Sequence, residues 1–138
     1  MRINFQVKTN NRKIANLERK LKNVDIDAIV SKTANNLIKE MTKLVTTGSR
    51  SGRKYGDHIA SAPLEPPANW SGDLVDSMKA VKKSNTEYEV LIGVPYARTL
   101  EEGLDNLKDK PRPFVQPSID AVRKEFEKEI ADIFKRYL

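Results

Sequence analysis

At 138 residues, with 38% hydrophobic side chains, 32% charged and a formal net charge of +6, the chain has the size of one domain that buries about two-thirds of the surface its unfolded form exposes. The absence of cysteine excludes a disulfide framework and a thiolate metal site, and fits folding in a cytosol. No apolar run approaches the roughly 18 residues of a membrane span, and Met1-Arg-Ile-Asn-Phe-Gln-Val lacks the apolar core of a secretory signal.

The charge is uneven. Arg2, Lys8, Arg12, Lys13, Arg19, Lys20 and Lys22 stand against Glu18 alone in residues 1–24, which therefore carry the whole excess of +6. A basic start of this kind suits an acidic partner or nucleic acid, and equally a plain solvated helix face.

In chain order, Ile3, Phe5 and Val7 alternate with polar residues and predict a short half-buried strand. Ile14, Leu17, Leu21 and Val24, spaced 3, 4 and 3, predict a short helix that Asn10 or Asn11 caps. From an Asp25 cap, Ile26, Ile29, Val30, Ala34, Leu37, Ile38, Met41, Leu44 and Val45 form the strongest stripe in the chain and predict the central core helix, closed at Thr46-Thr47-Gly48. Residues 48–72 then read as neither helix nor strand, with a mobile loop over 48–70 expected to order only on a partner. Ser71 caps a short helix bearing Leu74, Val75 and Met78. Val81–Lys83 and Tyr88–Val94 flank the polar link Ser84-Asn-Thr-Glu87 as an antiparallel hairpin whose first strand begins as early as Ser77. Pro95 stops the second strand. One or two helical turns follow from Tyr96 to Gly103, then a polar loop, then Pro111–Pro117 as a lead into a last helix. Ile119, Val122, Phe126, Ile130, Ile133 and Tyr137 line that helix, with Asp120–Lys124 and Asp132–Arg136 as i,i+4 pairs. The expectation is a single α+β domain over 1–138, a small mostly antiparallel sheet packed against two long helices.

Catalytic chemistry finds few candidates. His58, the only histidine, lies beside Asp57 and near Ser49, Ser51, Tyr55 and Ser61, but a Ser-His-Asp arrangement needs convergence from rigid positions. One imidazole without thiolates or alternating acids gives no metal site, and no cofactor is expected. Glu101-Glu102 reads as surface. Gly48-Ser-Arg-Ser-Gly-Arg-Lys lacks the Lys-Ser/Thr spacing of a phosphate-binding loop and follows a helix rather than a strand. Arg50, Arg53, Lys54 and Tyr55 suit phosphate contact, but residues 48–72 net only +1 and no helix carries a recognition motif. The alternative functional class is therefore a basic nucleic-acid-binding module.

Three blocks point elsewhere: Ser51-Gly-Arg-Lys-Tyr with His58-Ile-Ala-Ser-Ala-Pro-Leu-Glu-Pro-Pro-Ala and Ser71-Gly-Asp-Leu; Tyr96-Ala-Arg-Thr-Leu-Glu-Glu-Gly; and Arg112-Pro-Phe-Val-Gln-Pro. Their order and spacing resemble the tail-completion, or head-tail joining, neck proteins of long-tailed bacteriophages. Leu64 stands where that family often has glycine after Ala-Pro, and the usual Gly-Thr start after Gly103 is missing. The resemblance implies a non-enzymatic virion subunit, assembled in the host cytoplasm. It would form a ring, a hexamer by expectation, between the tail-tube protein and the head connector, with no membrane role and only incidental nucleic-acid contact. The residues expected at its interfaces are Arg50, Arg53, Lys54, Tyr55, His58, Pro63, Glu65, Pro66, Pro67, Trp70, Tyr96, Glu102, Arg112 and Phe114. Pro63, Pro66 and Pro67 stiffen one arm of the loop. Trp70, Tyr55 and Phe114 are the size of interface anchors and serve a core equally well. Arg112 is expected to pair with an acid such as Glu102, within or between subunits.

Overall fold

The computed structural model describes residues 1–6, 25–48, 50–68, 71–103 and 110–137. The expected helix over 10–24 and Trp70 lie outside these residues. The described elements are β1 (Arg2–Gln6), α1 (Ile26–Thr47), β2 (Lys54–Tyr55), β3 (His58–Ile59), α2 (Asp73–Asp76), β4 (Met78–Ser84), β5 (Glu87–Ile92), α3 (Ala97–Glu102) and α4 (Val115–Tyr137).

The expected α+β architecture is present. Asp25 starts α1 by accepting the Ala28 N–H at 3.0 Å, a cap worth about 1 kcal/mol. The stripe then buries Ile29, Val30, Ala34, Leu37, Met41 and Val45, four of them without measurable exposure. Thr33 shares that face, its hydroxyl satisfied by the Ile29 carbonyl at 2.9 Å. At the other end the Gly48 N–H returns to the Leu44 carbonyl.

The sheet runs β1-β5-β4, antiparallel throughout. Tyr88, Val90 and Ile92 of the central β5 enter the core beside α1, while Glu87, Glu89 and Leu91 lie on the other face. The turn between β4 and β5 is two residues, Asn85-Thr86, shorter than the expected link. An irregularity between Lys82 and Ser84 absorbs the difference. β4 is an edge strand and exposes Lys79, Lys82 and Lys83. Lys82 reaches Asp27 at 3.1 Å, and the Tyr88 hydroxyl donates to the same carboxylate at 2.9 Å. These two partners, the hydroxyl foremost, hold Asp27 below the usual carboxylate range and join the first turn of α1 to the sheet.

Helix α4 packs along α1, with Phe114, Val115 and Val122 fully buried. It begins at Val115, so Pro117 falls in its first turn, where a missing N–H costs nothing. The expected Asp120–Lys124 and Asp132–Arg136 pairs do not close. Asp120 instead accepts the Gln116 amide at 2.9 Å, one turn back. Short α2 starts at Gly72 in the left-handed region rather than at Ser71, whose hydroxyl only grazes the Asp73 N–H at 3.4 Å. No helix among the described residues is long and apolar enough to cross a membrane.

Candidate functional site

The stretch after α1 is not structureless. Lys54-Tyr55 and His58-Ile59 pair as an antiparallel hairpin around Gly56-Asp57. Gly56 has φ +60 and Asp57 does not enter the positive region, the pattern of a two-residue turn whose first position demands glycine. Below the hairpin, Gly52 N–H meets Ala60 O at 2.8 Å and Ala60 N–H meets Arg53 O at 3.0 Å. A Cβ on Gly52 would lie 2.6 Å from the Ser61 carbonyl oxygen, so the two arms approach closely because that residue has no side chain.

Glu65 locks the base. Its carboxylate accepts the Ala62 N–H at 2.7 Å, the Ser51 N–H at 2.9 Å and the Ser51 hydroxyl. These bonds, the Ala62 amide first, hold it below the usual glutamate range. Its charge is turned inward on the loop.

The loop base then meets the other two blocks. Leu64 N–H donates to Pro111 O at 2.9 Å, Arg112 N–H to Leu100 O at 2.6 Å and Arg112 Nε to Ser61 O at 3.4 Å. Glu101 accepts the N–H groups of Phe114, Val115 and Gln116 at 2.7, 2.9 and 2.9 Å. Residues 51–65, 96–103 and 111–116 therefore form one hydrogen-bonded junction at the start of α4.

Within the chain Arg112 turns to Ser61 and Leu100, not to Glu102. Exposed Glu102 sits 4.0 Å from Arg98 on its own helix, and an i,i+4 partner one turn away needs no loop closure. Glu101, read from sequence as surface, is the acid that organises the junction. The segment Arg112-Pro-Phe before α4 contains no capping side chain, and that gap was the sequence signal for a carboxylate from elsewhere.

The other expected interface residues separate by placement. Arg50 bonds the Val45 and Thr46 carbonyls at 3.2 and 2.8 Å, setting its charge against the negative end of α1. Phe114 has no exposed surface and Pro67 is buried, so Phe114 is a core anchor. Pro66 is half-buried, close enough to Gly48 that a Cβ there would stand 3.0 Å from it. Arg53, Lys54 and Tyr55 are exposed at the hairpin tip, with the Arg53 guanidinium 5.4 Å from the Tyr55 ring centre, and His58 is half-buried across from Tyr55. Pro63 is exposed and Tyr96 is 45% exposed at the head of α3. Leu64 is 72% exposed and has φ +71, the region that favours glycine and strains a branched side chain.

At the far end of α1, an apolar groove of about 310 Å³ opens between β1, α1 and α4, walled by Ile3, Phe5, Val30, Ile119, Val122 and Phe126. Among the described residues no group of three His, Asp or Glu side chains is placed to hold a metal. No family model, curated protein or solved structure matches the chain.

Proposed function

We propose that this protein is a tail-completion subunit of a long-tailed phage, assembling as a ring at the top of the tail and joining it to the filled head. The observation that carries the reading is the junction. The three blocks on which the neck-protein resemblance rests are separate in sequence, yet residues 61–64 of the first, 100–101 of the second and 111–114 at the third meet through Leu64–Pro111, Arg112–Ser61, Arg112–Leu100 and Glu101–Phe114. Leu64 adds support. Where the family often has glycine the backbone is left-handed, so the turn keeps the glycine geometry with leucine in its place.

A docking role also suits the chemistry. The loop presents an exposed hairpin on a base pinned by Glu65, which lowers the entropy lost when a partner binds. The test is complementation of a phage lacking this gene with a chain deleted for residues 50–66. Unjoined heads and tails are expected. Normal infectious particles from the deletion would remove the loop from the function, and failure of the full-length chain to restore joining would remove the reading itself.

A further inference from the structure

Among the described residues, every exposed large hydrophobic side chain lies in the joined blocks: Tyr55 at 45%, Ile59 at 42%, Leu64 at 72% and Tyr96 at 45%. A single exposed apolar residue is ordinary, whereas four gathered on one junction mark a contact surface. Leu64 adds strain to exposure, since its N–H on Pro111 O and the return of Glu65 N–H to Ala62 O at 3.1 Å hold it in the left-handed region. Strain kept without a packing return points to use.

The charges of the same segments are sorted by sign. Residues 51–65, 96–103 and 110–116 contain four acids, Asp57, Glu65, Glu101 and Glu102. Glu65 and Glu101 are turned inward onto backbone N–H groups, and Glu102 lies beside Arg98. The cations Arg53, Lys54, Arg98 and Lys110 are all exposed. On the hairpin the two kinds of group are interleaved. Lys54 stands opposite Ile59 and shares its face, while Arg53 lies over the Tyr55 ring on the other. Each face therefore offers one cation beside one apolar side chain.

We infer that the hairpin and Leu64 dock on a protein other than this chain, in a hollow with an apolar floor and a rim of Asp and Glu carboxylates, where the anchors are covered and the cations meet opposite charge. A second copy carries the same net charge of +6 and is repelled rather than steered. A phosphate backbone makes no use of Ile59 or Leu64, and Asp57 in the hairpin turn opposes it. A fluid lipid surface has no need of a leucine held in a strained turn. The inference deepens the docking role proposed above and rests on it for where the partner is found, on the head or on the tail.

The test is co-sedimentation of the chain with heads and with tails of a phage lacking this gene, between about 50 and 500 mM NaCl. Binding to one of the two particles is expected, weakening as salt rises. Arg53→Glu with Lys54→Glu, and separately Leu64→Asp, each checked for native circular dichroism, should weaken it at least about tenfold. Lys128→Glu, an exposed site about 20 Å along α4 from its start, should leave it unchanged. Full binding by the charge-reversed pair or by Leu64→Asp, an equal loss with Lys128→Glu, or binding to neither particle overturns the inference. The same losses on a short DNA duplex or on phosphatidylglycerol vesicles, or self-association that Leu64→Asp removes, would name a different occupant and overturn it too. Particles that join through none of these residues leave the neck function standing, whereas failed complementation by the full-length chain strikes the function.

Discussion

Glu101 receives the Phe114 N–H at 2.7 Å, an acid on a six-residue helix capping another helix across the residues that join them. Three N–H groups at the head of α4 depend on that carboxylate, which also faces the positive end of the helix dipole. Glu101→Ala should cost about 2 kcal/mol in urea unfolding. Glu101→Gln, with one acceptor oxygen in place of two, should fall between. Equal stability of all three proteins would mean that water replaces the carboxylate.

The Glu65 clasp requires the charged form. Its carboxyl is depressed, so the stability it adds is fully present above the unfolded glutamate value, about 4.3, and is lost as pH falls through the lower folded value. In an amide NMR titration the Ser51 and Ala62 signals should move together, with a midpoint beneath that value. Glu65→Gln should abolish the shared transition. Separate midpoints would show that the two amides do not share one carboxylate.

Gly52→Ala tests the close approach of the loop arms. The new Cβ meets backbone oxygens of Ala60 and Ser61 at 2.7 and 2.6 Å, and neither can rotate away. Exchange of the Ala60 amide should quicken at least tenfold while amides in α1 keep their protection. On the tail-completion proposal, head–tail joining should fall in parallel. Unchanged Ala60 exchange would refute the tight base.

Phe114 separates core from interface. A fully buried ring predicts a loss of about 3–5 kcal/mol for Phe114→Ala, with assembly reduced only as far as folding is. Phe114→Leu, nearer in volume, should restore most of both. Normal stability with failed assembly would make it a docking residue instead.

What the sequence made readable was what repeats locally. The stripe from Ile26 to Val45 and the alternation of Tyr88, Val90 and Ile92 each write one buried face many times over. The small hairpin escaped because Lys54-Tyr55 and His58-Ile59 are too short to show a period. The Gly56-Asp57 pair was its only mark. Glu101 escaped for a different reason: its partners lie 13 to 15 residues away, and the uncapped start of α4 calls for an acid without naming which one. Within the chain Arg112 meets carbonyls rather than an acid, because charge in a sequence names a kind of partner and not its position.

The exposed lysines of β4 set the width of the sheet. A second copy adding to that edge antiparallel about Val81 would place Lys79 opposite Lys83 twice over, like charges across a strand pair. Two copies of the chain are thus kept from fusing into a continuous β-ribbon along this edge, at whatever concentration they are held.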